Sequence, residues 1–380
     1  MDHFITKYDI EPPAGAERAV LEDSIMHKGR LVTAGSKILE SFISPLDATV
    51  VTKLEAAGVA ILGKTRMSEF GAEGLFADTT ETVIGAVSAV ADGVASFALC
   101  NDYTGAVAQK AAGHGQCYIR PTYGTVSRYG LIPAVPSMDQ IGIVCRNPAD
   151  GFRVLEIIAG HDPKDGAMFA DAVRPDAECG VRNAKSGDED THGRRLRFGA
   201  PANVFSQLWD AAAVSFIGIG AGNIELVEFE LKYFDVFAQV MQILCCAELS
   251  NNITRYDGIK FGYRAGGFTG LRELYLKSRT EAFGPDAKLA AMLGAMVLSQ
   301  ENYLRYYDKA MRVRRLIKES LEFDKYDAII LPAGTPPCAA LPQLCGLPAA
   351  TVPFGSGGIT LIADARREDI LKSALEAVGL

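Results

Sequence analysis

The chain has 380 residues, 48% hydrophobic and 22% charged, a globular composition that excludes a fibrous or disordered protein. Its net charge of −8 at pH 7, with no basic block interleaved with aromatics, excludes unaided binding to nucleic-acid phosphates. The length suits one large α/β domain or two ordinary ones.

The N-terminus, MDHFITKYDI, has no basic-then-apolar layout, so no export is expected. Asp47–Gly58 carries Val50, Val51, Leu54 and Ala57 at helical spacing and stops at a glycine, and Val59–Leu62 follows as a strand. Val83–Cys100 is the most apolar run. Asp92 near its centre and its many small residues argue against a membrane span and for a packed helix over Ala89–Leu99. A further helix is expected over Ala149–Ile158, after the start signal Asn147-Pro148.

Residues 163–195 are polar and rich in Asp, Gly and Lys, the composition of a flexible surface excursion. Strands are expected at Leu196–Ala200, Ile224–Leu231 and Tyr326–Leu331, and helices at Asp235–Asn251 and Glu301–Glu322. The last helix places Tyr303, Tyr307, Ala310, Val313, Ile317 and Leu321 on one face. Gly218–Gly222 lacks the final glycine of a dinucleotide fingerprint and reads as a plain loop. Eight cysteines without C-x-x-C spacing read as reduced, buried thiols of a cytoplasmic protein. His114 and Cys117 have no second ligand pair, so no metal and no cofactor are expected.

One segment carries far more information than the rest. Asp102-Tyr103-Thr104-Gly105-Ala106-Val107-Ala108-Gln109 is followed by Arg120-Pro121-Thr122-Tyr123-Gly124, then Val126–Leu131, then Asp139-Gln140-Ile141-Gly142. It resembles the nucleophile region of the amidase signature family, above all the A-type chains of glutamyl-tRNA(Gln) and aspartyl-tRNA(Asn) amidotransferases. There a turn reading D-T-G-G-S-[IV]-R-Q-P precedes K-P-T-Y-G-R-V-S-R-Y-G-L. The resemblance continues through Lys28-Gly29, Leu62-Gly63-Lys64-Thr65, Arg255–Gly258, Phe283-Gly284-Pro285 and Gly346–Ala349, from about Ala19 to the C-terminus. It begins almost at Met1, so the family's helical N-terminal arm is expected to be missing.

The resemblance implies a single domain over 1–380 with an α/β/α architecture: a mixed central sheet with helices on both faces. It also implies amide cleavage by a serine nucleophile, a bridging serine on a cis peptide and a neutral lysine, with backbone N–H groups of the turn holding the oxyanion. At these positions the chain carries Ala106 for the nucleophile and Glu22 for the lysine, beside Asp23. Counting back from Ala106 puts Thr82 at the bridging serine, where the family's G-G-S-S-G-G-S loop is lost. Lys64 belongs to the G-K-T segment and is expected to be structural. The vestigial substrate pocket maps to Asp102, Thr104, Gly105, Gln242 and Ala290, and a late acidic loop is shortened between Pro337 and Cys345.

Removal of the serine nucleophile alone costs on the order of 10⁶ in turnover in serine proteases. The expectation is therefore a catalytically degenerate homologue, a scaffold or regulator associating with B- and C-type amidotransferase subunits or with itself. Two alternatives are an amidase or glutaminase with a rebuilt nucleophile (Thr104, Cys100, Ser88 or a Cys117–His114 pair) and a small-molecule binding module using the vestigial pocket.

Overall fold

An eleven-stranded mixed sheet organises the chain, in a computed structural model that describes residues 3–76, 84–169, 195–208, 224–355 and 357–379. The strands are β1 (Phe4–Lys7), β2 (Arg18–Glu22), β3 (Ala60–Thr65), β4 (Phe97–Asn101), β5 (Cys117–Arg120), β6 (Ile141–Cys145), β7 (Leu196–Pro201), β8 (Ile224–Phe229), β9 (Ala328–Pro332), β10 (Ala349–Phe354) and β11 (Gly357–Ala363). Their spatial order is β1-β3-β2-β4-β6-β5-β10-β11-β9-β7-β8. β2 runs parallel to both β3 and β4, whereas β4–β6, β6–β5 and β5–β10 are antiparallel.

The helices are α1 (Thr49–Ala56), α2 (Gly85–Ala91), α3 (Ala106–Gly113), α4 (Pro148–Ile158), α5 (Ala202–Leu208), α6 (Phe237–Asn252), α7 (Leu271–Ala282), α8 (Pro285–Leu298), α9 (Tyr307–Glu319), α10 (Pro336–Cys345) and α11 (Glu368–Ala377). Central strands such as FALCN and IGIVC are apolar without alternation because both of their faces are covered. On one face Ala19, Leu21, Phe97, Leu99 and Ile143 meet α1, α4 and α11; on the other, Val20, Ala98, Cys100 and Val144 meet α2 and α3. Beyond α3, a third cluster joins α6, α8 and α10 around Tyr103.

Two expectations need correction. The helix expected over Ala89–Leu99 is two elements, α2 ending at Ala91 and strand β4 beginning at Phe97, because Gly93 takes a left-handed φ of 73° and breaks the run. The helix expected over Glu301–Glu322 is confined to α9, which buries Ala310 and Ile317, while Tyr303 lies before it and is exposed. At the start of 163–195, the Asp165 carboxylate accepts from Arg128 Nη2 at 2.9 Å and Nε at 3.0 Å. Residues 170–194 lie outside the described residues, as does Gly218–Gly222.

Gly130 shows how tightly the motif segment is packed. It has φ 85°, and a Cβ there would lie 2.7 Å from Ala48 Cβ and closer still to Ala48 Cα, at the start of α1. Gly58, just after α1, has φ 76° but open space around it. Gly58→Ala is therefore expected to lose about 1 kcal/mol, the left-handed penalty alone. Gly130→Ala is expected to lose about 3 kcal/mol, because backbone must also shift. Urea unfolding of both variants checks this; equal losses would contradict the packing at Gly130.

Candidate functional site

The ends of β2 and β4 and the start of β6 meet at one point of the sheet, and the chain turns there from β4 into α3. Gly105 makes that turn possible with φ 85° at the N-cap of α3. The Asp102 carboxylate gathers the free N–H groups of the helix start, accepting from Gly105 N at 2.7 Å and Ala108 N at 3.1 Å. Thr104 Oγ1 accepts from Ala106 N at 3.3 Å. Arg120, fully buried at the end of β5, donates to Asp102 O at 2.6 Å and to Met138 O at 3.1 Å. Asn101 Nδ2 donates to Asp139 Oδ1 at 2.9 Å, while Asp139 also accepts from the backbone of Ala134 and Val135.

Ala106 occupies the first helical position and is buried. Helix α10 covers the turn: a Cβ on Gly105 would lie 2.6 Å from Ala339 Cβ. The shortened segment at Pro337–Cys345 thus folds as a helix over the turn.

Glu22 closes β2 and is buried. Its Oε1 accepts from Ser24 Oγ at 2.5 Å and from Asn101 N at 3.4 Å, and its Oε2 has no partner among the described residues. Burial, reinforced by the Glu73 carboxyl, pushes Glu22 well above the ordinary carboxylate range and so favours its neutral form. Asp102 and Asp23 are also raised by burial. Lys64 lies on β3 opposite Leu21, fully buried; burial lowers it to about 7 against the opposing pull of Asp23 and Glu22. Glu73, bonded to Ser68 Oγ, is raised by burial to about 7. The site is a set of buried ionisable groups whose burial disfavours their charged forms, with no group of three His, Cys, Asp or Glu placed for a metal among the described residues.

Of the expected site residues, Glu22, Asp102, Thr104, Gly105 and Ala106 converge at this junction. Thr82 lies outside the described residues. Gln242 and Ala290 stand on α6 and α8: Gln242 Nε2 donates to Leu75 O at 3.0 Å, and Ala290 is buried in the cluster that holds Tyr103. The Cys117–His114 pair is not assembled. His114 is exposed with Nδ1 on Lys110 O at 2.9 Å, and the Cys117 thiol reaches Arg146 O at 3.6 Å. Burial pushes Cys100 well above the usual thiol range and Cys117 to about 11, which disfavours either as a thiolate. Cavities of about 170 Å³ (lined by Arg128, Tyr129, Pro133 and Asp139, among others) and about 400 Å³ (by Lys318, Phe323 and Asp364, among others) lie apart from Ala106.

Sequence reasoning missed Glu73 and Gln343 as members of this neighbourhood. Glu73 sits eight residues beyond the matched Leu62–Thr65, where no motif marks it. Gln343 sits in a Pro- and Ala-rich stretch without periodic signal.

This mixed sheet with covered faces and its strand–turn–helix junction at Asp102–Ala106 fit an amidase-type α/β fold. The family described as amidase matches residues 19–88 and 83–344, and the chain belongs to that family. Among its relatives, the A-type chain of glutamyl-tRNA(Gln) amidotransferase from Lachnoclostridium phytofermentans is 38% identical over 362 residues, covering 88% of this chain and 70% of that protein. The corresponding chain of Geobacter sulfurreducens is 35% identical, covering 88% and 72%. The crystal structure of its Thermotoga maritima counterpart aligns with a TM-score of 0.72 at 25% identity, over 97% of this chain and 85% of that one. The peptide amidase of Stenotrophomonas maltophilia shares the fold, with a TM-score of 0.74 at 22% identity over 95% and 82%.

The carboxyl at Glu73 sets a pH dependence. The folded chain keeps its proton between pH 4.5, its ordinary value, and about 7, where the unfolded chain has released it. Stability from this group is therefore full below pH 4.5 and falls by about 3 kcal/mol as the pH rises to 7. Glu22 also lowers stability as the pH rises from its ordinary 4.5, whereas Lys64 raises it between about 7 and its ordinary 10.5. Glu73→Gln is expected to flatten the 4.5-to-7 limb by about one proton equivalent. Urea unfolding across that range is the check; an unchanged slope would contradict a neutral Glu73.

Proposed function

We propose that this chain is a non-catalytic homologue of the A-type amidotransferase chains, working as a scaffold or regulatory protein in the cytoplasm. Its partners would be B- and C-type subunits or a second copy of itself, and it would bind no nucleic acid directly. The observation that carries this reading is at the turn: Ala106, which the motif aligns with the nucleophile, is buried beneath α10, with the surrounding N–H groups already engaged. An amide cleaved by this kind of chemistry needs an attacking oxygen and a base that gains a proton. Ala106 supplies no oxygen, and the burial of Glu22 favours its protonated form over the free base.

The reduced state of the seven described cysteines, all buried, supports a reducing compartment. No helix among the described residues is long and apolar enough to cross a membrane.

The purified chain, alone or mixed with B- and C-type subunits, is expected to release no ammonia from glutamine or asparagine above buffer. Ala106→Ser is expected to release none either, because the base is still missing. Co-elution with the added subunits is expected on size exclusion. Ammonia release by the unaltered chain would overturn the non-catalytic reading.

A further inference from the structure

Helix α10 does more than cover the turn. Gln343, only 1% exposed, points its side chain at Gly105. The orientation that satisfies both ends of the carboxamide has Oε1 accepting from Gly105 N at 3.2 Å and Nε2 donating to Ala339 O. The Gly105 N–H is thus shared between the Asp102 carboxylate and a primary amide oxygen. One turn earlier on the same helix, Ala339 fills the space over the Gly105 Cα.

The helix is fastened so that this side chain stays in place. Arg314, on α9, donates from Nε to Leu344 O at 2.6 Å, next to Gln343, and from Nη1 and Nη2 to Ser137 Oγ and O at 2.8 and 2.9 Å. Ser137 in turn donates its backbone N–H to Glu248 of α6 at 2.8 Å. Gly346, with φ 66°, then ends α10 and returns the chain to β10. Four elements therefore converge on keeping a carboxamide against the turn's N–H.

We propose that Gln343 is an internal ligand: the chain closes its own amide-binding turn with its own primary carboxamide, and so excludes external amides. This rests on the reading above that the turn is the remnant of an amide site. It adds that the remnant retains its preference for a carboxamide and is occupied in cis. A side chain tethered to the same fold loses far less freedom on docking than a free amide does, so it outcompetes millimolar solutes.

Cavity complementation tests this. Gln343→Ala removes the equivalent of acetamide from the site, and Gln343→Gly the equivalent of propionamide. Each variant is expected to lose thermal stability, and the matching amide is expected to restore at least half of the lost Tm with saturable dependence. Wild type and Gln343→Met, which fills the space without a carboxamide, are expected to show no such rise. If the small variants do not fold, amide hydrogen exchange on the wild type decides the matter. The Gln343 side-chain NH₂ is expected to exchange much more slowly than that of exposed Gln239. Folded variants that no amide stabilises, or a Gln343 amide exchanging as fast as Gln239, would overturn the proposal. Ammonia production assayed in the same rescued samples separates the two readings. Rescue with hydrolysis would keep the internal ligand and sink the non-catalytic function; no rescue and no hydrolysis would do the reverse.

Discussion

Asp102 ties together the parts of the fold on which the site depends. Its carboxylate holds the first N–H groups of α3, and its backbone carbonyl is held by the buried guanidinium of Arg120. Arg120 also reaches Met138 O, which brings the segment before β6 to the same point. These groups lie where water does not reach, so each lost partner would leave a donor or acceptor unsatisfied at about 1–3 kcal/mol. The shape of the strand–turn–helix is therefore fixed by residues 102, 105 and 120 and owes nothing to the side chain at 106. An alanine at that position leaves the scaffold intact, and chemistry and architecture are separable here.

The electrostatics of the junction follow from the same burial. Glu22, Asp23, Glu73, Asp102 and Lys64 sit within one dry neighbourhood that has few compensating charges. A low-dielectric interior disfavours the charged form of each, so carboxyls rise and the ammonium falls. The two strands β2 and β3 place Glu22 beside Thr65 and Lys64 beside Leu21, so the lysine belongs to the neighbouring strand and not to the end of β2. A near-neutral cluster is compatible with a closed core and needs no bound ligand to balance it.

Much of this was legible in the sequence wherever a residue is demanded by backbone shape. Gly130 needs its left-handed φ and its close approach to Ala48, and Asp139 needs its acceptor role at the start of β6, so the motif around them keeps its letters. Glu22 and Ala106 could be placed by register against that motif. Strand β4 was hidden because FALCN follows directly on a helix of small apolar residues, and periodicity cannot divide such a run. The covering of the turn by α10 was hidden for a different reason. It is a contact between residues 105 and 339, and PPCAALPQLC carries two prolines at its start and another inside the helix. Nothing local announces which distant surface such a segment will meet.

A fluorophosphonate probe with intact-mass detection tests the proposed lack of a nucleophile most directly, with a parallel reaction using an iodoacetamide. A buried Ala106, a Glu22 carboxyl whose burial favours the neutral form, and thiols pushed up by burial predict no adduct on the folded chain, and thiol labelling only after denaturation. A stoichiometric adduct on the folded chain, mapped to Thr104, Ser88 or Cys100, would contradict a non-catalytic centre and identify the group that replaced the serine.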